Sequence, residues 1–366
     1  MNRLWWAQIQ AVIRIEMKKT FFAKRGLWIY LLALCPVALF LAHSLVEIHM
    51  HGSRQQLARQ TGRELTVQDL NTVSQGMTRA EVIAKLGKAP SSYTGMRRVP
   101  AGPRKFEEIP LETFRYSDGV SELTVFFEKG IVVGTSTVSG VSLGQDSYVF
   151  AGVFQFFFVR LAIFFGCLGI FMNLFRGEML DKSLHFYLLT PVRREVLLVG
   201  KYLAGLLAAT VIFSVSTALQ LFAMLFRFDS NAIGQYLYQN HGVSQIAAYL
   251  GVTVMACIGY GSIFLAAGLL FRNPIVPAAA VLVWEAANPV LPALLKKISV
   301  IYYLKSLCPV SIPIDPGMPP LFALLVSNPQ PISSYVAVIG LLALSVAVLA
   351  ASARSVRSLE INYTME

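Results

Sequence analysis

Four polar side chains, His43, Glu47, His49 and His51, are spaced so that they could hold a metal ion. On a helix His43 and Glu47 stand one turn apart on a single face, and His49-x-His51 is a possible ligand pair. The sequence offers no further ligand to complete the set. The preferred reading is therefore polar residues where a helix leaves an apolar layer, with no metal. Two more charges invite chemistry by their setting. Arg160 and Glu285 each fall near the middle of a long apolar run, where a charge costs roughly 2.5 to 3.5 kcal/mol unless it meets water or an opposite charge. They are expected to pair or to face a shared polar cavity, either fixing helix packing or lining a substrate path. No catalytic set accompanies them. The chain has no HExxH, no paired Asp within the apolar runs and no Ser/Lys dyad, and Cys35, Cys167, Cys257 and Cys308 are scattered without metal-ligand spacing. Gly200-Lys201 lacks the glycine-rich spacing of a phosphate loop, so any ATP is hydrolysed elsewhere.

The elements that carry these residues are set by composition. Of 366 residues, 55% are hydrophobic and only 14% charged, with a mean hydropathy of +0.59. Those values exclude an ordinary soluble globular protein and indicate a polytopic membrane protein. The net charge of +11 is not a nucleic-acid footprint. Residues 1–26 carry Arg3, Arg14, Lys18, Lys19, Lys24 and Arg25 against Glu16 alone, and more basic residues flank the ends of later runs, which is the positive-inside pattern. Residues 3–23 read as an interfacial helix with Trp5 and Trp6 at headgroup depth. An uncleaved signal anchor follows at 27–47. Further spans are expected at 148–175, 196–226, 246–271, 275–295 and 334–353, which gives six transmembrane helices, with the tail 354–366 and the N-terminus both inside. Asn288-Pro289 and Pro292 predict that the fifth span is broken toward its outer end. Residues 296–331 are too Pro-rich to span and too apolar for a free loop, so short re-entrant or interfacial helices are expected there. Gly251, Gly259, Gly261 and Gly268 predict close helix contacts in the fourth span.

Between the second and third spans lies Arg176–Lys201, a charged segment whose Leu180, Leu184, Tyr187 and Leu188 recur at helical spacing. Pro191 interrupts it, and Arg193 and Arg194 stand at the entry to the next span. Glu178, the amphipathic stretch Leu184 to Leu189, Pro191, Arg193 or Arg194, and Gly200-Lys201 together resemble the cytoplasmic loop of ABC-2 type transporter permeases. Asp181-Lys182-Ser183 replaces the Gly-Thr common in that family. The resemblance implies that residues 176–195 form a coupling loop, with Glu178, Asp181, Leu184, Leu188, Pro191, Arg193 and Arg194 docking on a separate ABC ATPase subunit that handles ATP and Mg. It also implies a second permease copy and a bacterial inner-membrane location.

Residues 48–147 read as one small α+β extracytoplasmic domain, nearly balanced in charge. Thr78-Arg79-Ala80-Glu81 fits a capping box, and the helix it starts ends at Gly87 ahead of Pro90. A Pro-rich basic loop is expected at 97–110, followed by three strands at 112–116, 122–127 and 131–137 joined by Asp118-Gly119 and Glu128-Lys129-Gly130 turns. Gly76-Met77-Thr78, Glu81-Val82, Leu86-Gly87 and Pro90, with the strand ending in Phe127-Glu128-Lys129-Gly130-Ile131-Val132, resemble the SmpA/OmlA (BamE-like) domain of envelope lipoproteins. That resemblance implies contacts with an envelope protein or with lipid, not catalysis. Two functions follow as expectations. The first is an ATP-driven permease subunit, most simply an exporter. The alternative is a membrane-anchored envelope scaffold acting through this domain.

Overall fold

The computed structural model describes residues 3–22, 26–102, 105–140, 142–180, 193–271, 273, 275–312 and 332–357. The chain forms two compact units. One joins Met1–Leu41 to Leu143–Glu366, and the other is Ala42–Ser142.

In the larger unit, helix α1 spans Arg3–Phe22 and is followed by α2, Leu27–Gln60, whose residues from Ala42 onward belong to the smaller unit. At 34 residues α2 is about 51 Å long, well beyond the ~30 Å of a bilayer core. After the smaller unit the chain returns as α5 (Leu143–Val153), a π-helical stretch (Phe154–Ile163) and α6 (Phe164–Leu180). Then come α7 (Arg194–Leu225), α8 (Ser230–Tyr238), α9 (Gly242–Leu270), α10 (Ile275–Ala287), α11 (Ala293–Lys296), α12 (Val300–Leu307) and α13 (Ser334–Arg357). Among the described residues five helices are long and apolar enough to cross a membrane: Leu27–Gln60, Leu143–Phe175, Arg194–Leu225, Gly242–Leu270 and Ser334–Val356. The expected fifth span is shorter than that. Helix α10 ends at Ala287 in a 3-10 turn over Asn288–Val290, because Pro289 and Pro292 cannot donate to an α-helical ladder.

Aromatic packing fills the interior of this unit. Phe150, Phe154, Phe158, Phe164 and Phe171 are fully buried along the second span. The rings of Phe150, Phe154 and Phe164 meet Tyr249 and Phe264 of α9 edge-on at 4.8 to 4.9 Å between centroids. Such contact requires α9 to approach closely. A Cβ at Gly261 would stand 2.5 Å from the Phe171 ring and one at Gly268 3.1 Å from the Met172 backbone. Gly251 meets nothing, so it does not contribute to this packing as expected. A polar layer crosses the same interior: Ser216 Oγ donates to the Ala33 carbonyl at 2.5 Å, Gln220 Nε2 to Ser216 Oγ at 3.1 Å, and Thr217 Oγ1 meets Thr253 Oγ1 at 2.9 Å.

The smaller unit contains α3 (Val67–Leu70), α4 (Arg79–Leu86) and a four-stranded antiparallel sheet in the order β1-β2-β3-β4. The strands are β1 (Ser91–Gly102), β2 (Lys105–Ser117), β3 (Ser121–Glu128) and β4 (Ile131–Ser139). Strand β1 from residue 97 onward and β2 up to residue 110 fall where a loop was expected. Pro100 of β1 and Pro110 of β2 look like strand breakers, but β1 is an edge strand, and β2 pairs with β3 only from Glu112 to Ser117. Prolines are tolerated on such free edges. The three expected strands are present and longer than expected. Alternation points Phe114, Tyr116, Leu123, Val125 and Phe127 at Val82 and Leu86, and all seven are buried. Lys129 and Gly130 both have positive φ, as a two-residue hairpin turn requires. The Tyr116 hydroxyl donates to the Gly87 carbonyl at 3.1 Å, and burial pushes that phenol up to about 12.

The capping box at Thr78 is complete: Glu81 N–H donates to Thr78 Oγ1, and Thr78 N–H donates to Glu81 Oε2 at 2.8 Å. The bonds from the Thr78 backbone N–H, and then from its hydroxyl, hold the Glu81 carboxyl below its ordinary value. A depressed carboxylate stabilises the fold above its unfolded pKa and ceases to do so as pH falls through its folded pKa. Hydrogen exchange on the full-length protein should therefore show the α4 amides losing protection as pH drops below about 4.5, the unperturbed glutamate value. Glu81→Gln should abolish that pH dependence. Thr78→Ala should destabilise this unit by about 1 kcal/mol at neutral pH.

Candidate functional site

Among the described residues, a fully buried charge lies near the start of α7. Lys201 has no exposed surface. Its ammonium donates to Glu16 Oε1 of α1 at 2.6 Å and to the Leu174 carbonyl of α6 at 2.8 Å, and sits 5.4 Å from the Phe175 ring centroid. One residue earlier, a Cβ on Gly200 would stand 3.0 Å from Val12, so the missing side chain is what lets α1 lie against α7. At the first turn of α7 the Arg193 guanidinium stacks 5.2 Å from the Trp5 ring, and Arg194 Nη1 donates to the Val356 carbonyl in the last turn of α13 at 3.3 Å. A cation at a helix C-terminus also meets the negative end of its dipole. Two turns of α7 thus hold α1, α6 and α13 together.

The segment expected to couple begins and ends at this cluster. Helix α6 runs through Glu178 to Leu180, and the chain is described again at Arg193. Asp181, Leu184, Leu188 and Pro191 lie outside the described residues, as does the side chain of Glu178. A family model described as ABC-2 family transporter protein matches residues 10–288, which take in Glu16, this segment and Lys201. The chain belongs to the ABC-2 transporter family. Neither a curated protein nor a solved structure matches it. With several long apolar helices, this ABC-2 family member is a multi-pass membrane protein.

Glu285, on α10 of this ABC-2 protein, has a further role that its sequence context did not suggest. After the break at Asn288–Val290 the chain turns back through α11, and the Glu285 carboxylate accepts from Ser299 Oγ at 2.8 Å, Val300 N–H at 2.9 Å and Ile301 N–H at 2.8 Å. Those are the first backbone donors of α12, which have no partner within their own helix. Glu285 therefore caps α12 from outside. Asn288 Nδ2 donates to the Lys296 carbonyl at 3.3 Å and Tyr303 to the Lys297 carbonyl at 2.7 Å, closing the same reversal. Part of the 296–331 segment is thus helical as expected, and residues 313–331 lie outside the described residues. Arg160 stands within electrostatic range of Glu285. Its guanidinium lies 5.3 Å from the Phe156 ring centroid, on a cleft facing α12.

At the far end of α7, Arg227 donates through Nε and Nη2 to Asp146 Oδ2 in the first turn of α5, at 3.0 and 2.5 Å. In the smaller unit, Glu47 is 3.7 Å from the buried Arg54 and the ring of His51 meets Gln55 at 3.0 Å. Among the described residues no three His, Cys, Asp or Glu side chains gather around a point where a metal ion could sit, and His43 and His49 join no such group.

Sequence reasoning saw Glu16 as the lone acid in a basic helix and Lys201 as half of a family motif, but did not join them. A Lys inside an apolar run and an acid on an otherwise basic segment were the available signals. Breaking a buried ion pair from one side strands a charge, at a cost of about 3 to 5 kcal/mol, whereas replacing both partners with apolar residues is often near neutral. Lys201→Met alone and Glu16→Leu alone should each lower the thermal stability of the detergent-purified protein sharply. The double variant should recover most of that loss.

Proposed function

We propose that this chain is the membrane-spanning permease subunit of an ATP-driven exporter in the bacterial inner membrane. The observation that carries the reading is that the family match spans residues 176–195 while both flanks of that segment are tied to one buried cluster on α1, α6, α7 and α13. A separate ABC ATPase subunit binds ATP and Mg and presses on Glu178, Asp181, Leu184, Leu188, Pro191, Arg193 and Arg194. Any displacement there is passed to four helices at once. Six crossings, with the broken α10–α12 hairpin counted as the fifth, leave both termini on the cytoplasmic side and the smaller unit outside. Two permease copies, as a homodimer or heterodimer, complete the pathway between them, and the BamE-like unit contacts an envelope protein.

The test is a detergent pull-down of the full-length protein from its native membrane, compared with a Glu178→Ala, Arg193→Ala, Arg194→Ala variant, with retained proteins identified by mass spectrometry. The expected result is an ATPase subunit retained by the unaltered protein and lost by the variant. Retention of an envelope protein, with no ATPase in either sample, would overturn the permease reading in favour of the scaffold.

A further inference from the structure

The smaller unit leaves one long strand edge open. Strands β1 and β2 pair from Ser91 with Arg115 out to Gly102 with Lys105, but β2 meets β3 only from Glu112 to Ser117. From the Gly95–Leu111 pair onward the two strands therefore form an arm with no third strand beside it. Two strands alone are marginal in water. Among the described residues no backbone hydrogen bond reaches β1 except from β2, so every second residue along it turns an N–H and a C=O outward. The opposite edge is less available. At the start of β4, Gly76 N–H donates to the Val132 carbonyl at 2.9 Å and Val132 N–H to the Met77 carbonyl at 2.8 Å. The β3–β4 register also shifts between Phe126 and Phe127, a bulge of the kind that twists an edge away from further pairing.

The residues of β1 decide what can pair with it. Residues 91–96 hold no charge and no proline, and Ser92, Tyr93, Thr94, Met96 and Arg97 are exposed, Tyr93 by 70%. Gly95 has no side chain, and the Tyr93 ring lies over it, with Cε1 3.1 Å from where a Cβ would stand. Consider antiparallel pairing of β1 with the β1 of a second copy, on a two-fold axis through Gly95. Tyr93 of one copy then stands opposite Arg97 of the other, Thr94 opposite Met96 and Ser92 opposite Arg98, each pair occurring twice. Each ring faces a guanidinium, no arginine faces another, and Pro100, which lacks a donor, stays outside the paired stretch. Moving the axis to Arg97 would oppose like charges and bring Pro100 against Thr94. We infer that residues 91–99 are a self-pairing edge, which joins the four-stranded sheets of two copies into one continuous sheet. Chains held in one membrane meet at a high effective concentration, so a short strand contact is enough. This contact rests on the two-copy part of the permease reading alone. A pull-down that retained no ATPase would leave it standing, and its own failure would leave the ATPase coupling standing.

The experiment is disulfide cross-linking of the full-length protein in its native membrane. Two differently tagged copies are co-expressed, one Thr94→Cys and the other Met96→Cys, and oxidised in air with copper phenanthroline. Each link forms one S–S bond, and the two protons and two electrons lost by the thiols pass to oxygen. The unaltered chain, with Cys35, Cys167, Cys257 and Cys308, gives the background. A product carrying both tags is expected, about five-fold more abundant than links between two Thr94→Cys copies or two Met96→Cys copies. Directly opposed Cβ atoms stand ~5 Å apart and diagonal ones ~7 Å, beyond easy disulfide reach. Tyr93→Lys in both copies sets a lysine opposite Arg97 and should lower the mixed product about ten-fold, whereas Tyr93→Phe should keep it. Hydrogen exchange of the α4 amides should be alike in these variants, which separates lost pairing from lost folding. Val138→Cys, on the β4 edge, is offered to Thr94→Cys in place of Met96→Cys and should give no mixed product. Mixed product at the background level, equal linking between like variants, an equal yield with Val138→Cys, or an unchanged yield in Tyr93→Lys overturns the inference. A strand of an envelope protein seated on this edge would show itself as the first of those outcomes.

Discussion

An ammonium group with no exposed surface has to be matched by the protein itself, because neither lipid nor distant water can do it. Lys201 meets that condition by drawing in Glu16 from one helix and a backbone carbonyl from another. The requirement reaches well beyond the pair. It fixes α1 against α7, needs Gly200 to be without a side chain, and brings the end of α6 to the place where the next charged segment starts. The same rule recurs at Arg227 with Asp146 and at Glu285 with the donors of α12. In each case a charge in a costly place joins two separate elements.

What could be read from the sequence was whatever a short window contains. Five of the six long apolar runs, the capping box at Thr78, the hairpin turn at Lys129-Gly130 and the break at Asn288-Pro289 depend on neighbouring residues, and they stand where expected. Strand β1 was not legible, because Gly95, Pro100 and Gly102 argue for a loop unless it is already known that the strand lies at an edge. The partner of Glu285 was hidden for a related reason. Its ligands are backbone donors that any sequence has, and only the chain reversal through Pro289 and Pro292 delivers them. Lys201 and Glu16 were each conspicuous, yet 185 residues separate them and nothing local joins the two.

For a transport protein this division of labour has a mechanical meaning. The last turns of α6 and the first turns of α7 meet in one buried cluster, so a shift of either is felt by the helices packed on it. Interiors packed as closely as the Phe158, Phe164 and Phe171 region respond by switching between discrete arrangements, since rings in contact cannot be compressed continuously. The smaller unit has a separate core around Phe114, Phe127 and Val82, so its integrity does not rely on that packing.

The π-helical stretch in the second span also bears on how this sequence can change length. Ten residues wound with i to i+5 bonds hold more chain per turn than an α-helix does. A deletion within 154–163 can therefore be absorbed by tightening the winding, whereas the same deletion in the regular part of α9 would swing everything beyond it by about 100° and misplace every ring it packs against. The second span carries slack in its thread, and that slack lies beside the arginine.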